Sequence, residues 1–225
     1  MKKFLVLLKE SVPSSFTIRH WLVICSSFSL GLLLIRLITS ARFSYVFLAW
    51  NLLLAYIPFL ISNWLSSHRE VLKQRLKLAF VIFAWILFMP NSFYIVTDLF
   101  HLDNMGYGHP WFDLTLILSF AWNGILLGLL SIRKMEILLR QAKGKFISGV
   151  VVCAVMWLNA FGIYIGRFLR FNSWDVIVNP FSLFGELAGI ALNPYDYRYV
   201  WAMSFCFAFF MIILYYSTKR LPELE

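Results

Sequence analysis

One stretch near the middle of the chain concentrates side chains able to do chemistry: Pro90-Asn91-Ser92-Phe93-Tyr94-Ile95-Val96-Thr97-Asp98-Leu99-Phe100-His101. Read as an α-helix, Asn91, Tyr94, Asp98 and His101 stand at i, i+3, i+7 and i+10, which is one face of a helix with a 3.6-residue period. The intervening Phe93, Ile95, Val96, Leu99 and Phe100 are apolar. The polar stripe therefore ends in an Asp–His pair one turn apart. Carboxylate oxygens and imidazole nitrogens suit a divalent metal ion, and a bound ion can activate water for hydrolysis. Asp113 or Asp175 would complete such a site, so the candidate ligands are Asp98, His101, Asp113 and Asp175. The competing reading is an ion pair from Asp98 to Arg167 or Arg170 that locks two helices together.

A second element supplies the opposite charge. Gly162-Ile163-Tyr164-Ile165-Gly166-Arg167-Phe168-Leu169-Arg170 is followed by Phe171-Asn172-Ser173-Trp174-Asp175. Arg167 and Arg170 lie one turn apart, and guanidinium forks suit phosphate. With Asn172, and with Asn91 and Tyr94 from the first stripe, they form a candidate site for the phosphate of a lipid headgroup. The alternative is that both arginines snorkel at a helix end or pair with carboxylates. Joining the two elements predicts a lipid-facing phosphoryl or acyl transfer site in which Asp98 and His101 are catalytic, His101 as acid and base. The signatures H-E-x-x-H, G-x-S-x-G and the P-loop are absent from the sequence.

What must position these residues follows from bulk composition. The chain has 225 residues, of which 61% are hydrophobic and 14% charged, and its mean hydropathy is +0.76. Soluble domains run nearer half apolar and a quarter charged. A disordered chain, a basic nucleic-acid-binding domain and an ordinary soluble enzyme are excluded; an all-α polytopic bundle remains. Spans are predicted near 21–38, 43–65, 78–96, 112–132, 146–168 and 199–216, with 176–192, broken at Asn179-Pro180, as an interfacial or re-entrant segment. If 176–192 spans, there are seven crossings instead of six. Cys25, Cys153 and Cys206 all lie in apolar runs with no C-x-x-C pair, which excludes a zinc knuckle or redox motif.

The net charge of +9 is topological. Of the 20 Lys and Arg residues, 15 fall in the N-terminal segment, in 66–77, in 133–145 and in the C-terminal tail. Six spans then put both termini in the cytoplasm of a bacterial cell membrane, with Asp98, His101, Arg167 and Arg170 facing outward. Membrane lipids are the expected partners, and nucleic acid is not; a protein partner or homo-oligomer is left open. A small-solute transporter is the alternative suggested by Pro58, Pro90, Asn123 and Gly124 inside spans, and a non-catalytic membrane subunit is a third. Gly124-x-x-x-Gly128 and Gly162-x-x-x-Gly166 read as close-packing faces, and Asn123 as a hydrogen-bonding partner for a neighbouring helix.

The strings PNSFYIVTDLFHL, WFDL and GIYIGRFLRFNSWD resemble the family of bacterial multi-spanning proteins catalogued as domain of unknown function 1361. In that family the corresponding strings look like P-N-x-x-Y-I-x-T-D-L-x-H-L, W-F-D-L and G-I-Y-x-G-R-F-x-R-x-N-S-W-D. The matching positions are Pro90, Asn91, Tyr94, Thr97, Asp98, His101, Trp111, Asp113, Gly162, Tyr164, Gly166, Arg167, Arg170, Asn172, Trp174 and Asp175. The resemblance implies a membrane protein of that family and brings no activity or cofactor with it.

Overall fold

The computed structural model describes residues 17–40, 45–104 and 109–220, with the backbone alone at Ser40, His101, Asp103 and Asn104. Expectations that rest on residues 1–16, on Arg42, on the His101 side chain and on the tail beyond Arg220 lie outside the described residues.

Nearly all of the described chain is helical, as its composition leads one to expect. Helix α1 is Ile18–Ser40 and α2 is Val46–Ser67. A 3-10 turn, Arg69–Lys73, leads into α3, Arg75–Phe88. Then come the short α4, Pro90–Tyr94, and a 3-10 segment, Ile95–Asn104. The long α5 is Pro110–Arg167, followed by α6, Asp175–Val178, α7, Pro180–Leu192, and α8, Arg198–Arg220. Among the described residues, five helical stretches are long and apolar enough to cross a membrane.

The sequence predicts two separate spans where the structure has α5. A straight helix of 58 residues would be about 87 Å long, nearly three times the ~30 Å hydrocarbon core of a bilayer. Gly144 resolves the conflict: its φ of 85° and ψ of 174° interrupt the helix, a conformation open to glycine because it has no Cβ. Leu129 and Ile132 before the interruption share one core cluster with Val152, Val155 and Met156 after it. The chain therefore folds back on itself, and α5 is two arms, 110–143 and 145–167, packed side by side from Gly144 outward.

Two large apolar cores hold the bundle, with a small third cluster of Leu65, Val71 and Leu138 beside them. One joins Leu22 and Leu33 of α1 to Leu48, Leu52 and Phe59 of α2 and to Leu116 and Phe120 of the first arm. The other joins Trp85, Met89 and Phe93 to both arms and to Met211 and Tyr215 of α8. The outside is apolar as well, with Val23, Leu34, Phe80, Phe146 and Phe209 exposed. Helices that are hydrophobic all round suit a lipid solvent.

Pro90 splits the predicted third span. It cannot donate a backbone hydrogen bond within the helix, and it opens α4 at its first turn. The two arms grip α4 between glycines. A Cβ on Gly124 would lie 2.4 Å from the Ser92 carbonyl oxygen, and one on Gly128 would lie 2.8 Å from the Phe93 ring. A Cβ on Gly162 would lie 2.5 Å from the Pro90 ring, and one on Gly166 would lie 3.3 Å from the Tyr94 ring. Both G-x-x-x-G pairs are thus used, on opposite sides of one five-residue helix.

Candidate functional site

Beyond Tyr94 the backbone tightens from α to 3-10, so the 3.6-residue stripe read from the sequence continues only to that point. From Ile95 onward the repeat is three residues, and the members of the stripe go to different partners. Asn91 donates to the Phe88 carbonyl and to Ser173 Oγ, both at 3.0 Å. Ser173 in turn donates to the Leu87 carbonyl at 3.0 Å. Helix-end carbonyls at the proline break are thereby satisfied by side chains, and the 172–175 loop is tied down. Tyr94 lies against Gly166. Thr97 donates back to the Tyr94 carbonyl at 2.7 Å.

Asp98 is 1% exposed. Its Oδ2 accepts from Asn51 Nδ2 of α2 at 2.9 Å, and its Oδ1 lies 3.5 Å from Arg167 Nη1. That Oδ1 has no hydrogen-bond partner among the described residues. The Arg167 guanidinium stands over the Phe100 ring, 5.6 Å from its centroid. Three elements converge here: the start of α2, the 3-10 segment and the end of the second arm. Trp174 closes over them edge-on to Trp50, with centroids 6.4 Å apart.

Arg170 leaves this cluster. It is exposed and has a left-handed backbone, φ 60°, a conformation that side chains other than glycine, asparagine and aspartate seldom adopt. Among the described residues it has no ion pair. Asp175 is turned to local use: its Oδ2 accepts from the Asn172 backbone N–H at 2.5 Å and lies 3.5 Å from the Asn172 side-chain nitrogen.

Asp113, taken from the sequence as a partner for Asp98, is paired elsewhere. Arg36 Nε lies 2.6 Å from Asp113 Oδ1 and Arg36 Nη2 lies 3.0 Å from Oδ2, a bidentate pair. Both residues are buried, and the Tyr45 ring lies 5.6 Å from the guanidinium carbon. Of the four candidate metal ligands, Asp98, Asp113 and Asp175 are thus in three separate contacts. The His101 side chain is outside the described residues. Among the described residues, no three His, Cys, Asp or Glu side chains form a group able to hold a metal ion.

Other polar residues inside the bundle are also partnered. Asn123 donates to Ser29 Oγ of α1 at 2.9 Å and accepts from Ser26 at 3.2 Å, as expected for a helix-bridging amide. Trp85 Nε1 donates to Ser131 Oγ at 2.8 Å. At the Gly144 end, Glu136 takes Tyr215 at 2.5 Å, Arg133 at 2.8 Å and Lys219 at 2.5 Å. Sequence reasoning assigned no partner to Arg36 or Glu136. A charged residue next to apolar runs was itself the available signal, because a buried charge must be paired.

An all-helical bundle with long apolar helices, an apolar exterior and buried, paired charges defines a membrane-spanning protein. The chain belongs to the family described as protein of unknown function (DUF1361), whose model matches residues 50–214. No curated protein and no solved structure matches the chain.

Proposed function

We propose that this protein binds the phosphate of a lipid headgroup at Arg170, at the end of the bundle that carries the Asp98–Arg167 pair. The observation that carries the reading is Arg170: an exposed guanidinium held on a left-handed backbone three residues beyond the partly buried Arg167. Unfavourable backbone geometry persists where the surroundings enforce it, and such positions cluster at binding sites. In this account Arg170 forms the forked contact to phosphate. Arg167 is the positioning residue, fixed by Asp98 and by the Phe100 ring. Asn91, Tyr94 and Asn172 set the loop that carries them. Six crossings, with both termini cytoplasmic and residues 176–192 lying in the interface, put this end outside a bacterial cytoplasmic membrane, because 15 of 20 basic residues then face inward.

Native mass spectrometry of protein purified in mild detergent tests the proposal. Phospholipid retained by the wild type should be lost on Arg170→Ala, with apparent affinity falling at least about tenfold, as expected for a charge-assisted hydrogen-bonded contact. Unchanged retention would remove the site. A second reading, hydrolysis with Asp98 as a metal ligand and His101 as acid and base, is favoured by the unsatisfied buried Asp98 Oδ1. Metal analysis of the purified protein, with Asp98→Ala alongside, tests that reading directly.

A further inference from the structure

Helix α3 packs along α2 and reaches α5 through the Trp85 side chain, whose indole N–H donates to Ser131. The space between α3 and the α5 hairpin is a cavity of about 350 Å³, within the size range of small-molecule sites. Leu65, Ile82, Trp85, Ile132, Val152 and Val155 form much of its wall. The polar groups beside it are already used: the Trp85 indole N–H goes to Ser131, and the Glu136 carboxylate goes to Arg133, Tyr215 and Lys219. What faces the cavity is therefore apolar. It reaches the bundle surface at Leu72 and Val151, which are 37% and 39% exposed. Leu76, Phe80 and Phe146 nearby in the chain are almost wholly exposed apolar side chains.

A cavity with such walls does not hold water stably and takes an apolar guest instead. In a bilayer the adjacent apolar substance is lipid acyl chain. The mouth is cationic. Lys143 lines it, and the flanking segments carry Lys73, Arg75, Lys77, Arg140 and Lys145, against Glu70 alone in 66–77 and no acidic residue in 137–145. We infer that this cavity takes one acyl chain of an anionic phospholipid, whose phosphate is held at the membrane surface by Lys143 and its basic neighbours. The site lies at the Gly144 end, opposite Arg170, and stands independently of the headgroup site proposed there.

The test uses full-length protein in lipid nanodiscs doped with phosphatidylglycerol bearing a photoactivatable acyl chain, with cross-linked peptides mapped by mass spectrometry. Labelling is expected in peptides containing Trp85, Val152 or Val155. Val152→Trp, which fills the cavity, should abolish that labelling; Val151→Phe, at the half-exposed mouth, should do the same if the first variant fails to fold. Lys143→Ala should lower labelling by the anionic probe about fivefold, the worth of one basic residue near a charged surface, and leave a phosphatidylcholine probe unaffected. Labels confined to outward residues such as Phe80 and Phe146, or labelling unchanged by the filling variants, would overturn the proposal. Equal labelling by the two headgroups would overturn the role of Lys143.

Discussion

Arg167 Nη1 stands 3.5 Å from Asp98 Oδ1, with the carboxylate side chain 1% and the arginine 15% exposed. At that length the contact is electrostatic, and the short hydrogen bond to the carboxylate comes from Asn51 at 2.9 Å. The pair joins the 3-10 segment to the end of α5, and through Asn51 to α2.

Removing one partner of this group should cost more than removing the group. Asn51→Leu strands a carboxylate oxygen and should destabilise by about 1–3 kcal/mol. Asp98→Ala leaves Arg167 without its anion and should cost about 3 kcal/mol, the low end for breaking a buried pair, because the arginine retains some hydration. Unfolding in detergent measures both, and a cycle with Arg167→Leu isolates the coupling. Additive effects would mean that the two charges do not interact.

The bidentate pair of Arg36 and Asp113 makes a sharper contrast. Arg36→Met alone should destabilise by about 3–5 kcal/mol, whereas Arg36→Met with Asp113→Leu should return to within about 1 kcal/mol of the wild type or exceed it. Equal losses in the single and double variants would contradict this assignment.

The glycines separate by surroundings. Gly124→Ala and Gly162→Ala place a methyl group 2.4 Å and 2.5 Å from the α4 segment and should cost about 1–3 kcal/mol through overpacking. Gly31 and Gly185 have nothing within 4 Å of an added Cβ, so alanine there should be neutral or better. Thermal unfolding of the four variants checks the order; equal effects would mean that α4 is not gripped.

Gly144 also has open space around it, but its φ is 85°. Gly144→Ala and Gly144→Asn should therefore both cost about 1–3 kcal/mol for conformation alone, because with a ψ of 174° the residue lies outside the left-handed helical region that asparagine tolerates. An alanine or asparagine variant as stable as the wild type would mean that the turn does not need glycine.

Composition and apolar runs were enough to read an all-helical membrane bundle, because lipid permits few other architectures. The Asp98–Arg167 pair was among the alternatives legible from charge, and both G-x-x-x-G pairs read correctly as packing faces. Asp113 did not go to Asp98, because its partner Arg36 lies 77 positions away and no local spacing announces it. The polar stripe from Asn91 assumed a continuous α-helix. Pro90 and the tighter 3-10 turn after Tyr94 redirect its members, a tertiary effect of the glycine grip that no periodicity within the segment records. Asn51 and its partner Asp98 stand 47 positions apart, and no local spacing joins them.

Whether Arg170 holds a lipid phosphate is decided by phospholipid retention in native mass spectrometry. The comparison is between wild type, Arg170→Lys and Arg170→Ala, with folding verified by unchanged thermal unfolding. Bound phospholipid is expected in the wild type, weaker binding with lysine, which keeps the charge but loses the fork, and loss with alanine. Equal phospholipid retention in all three would contradict it.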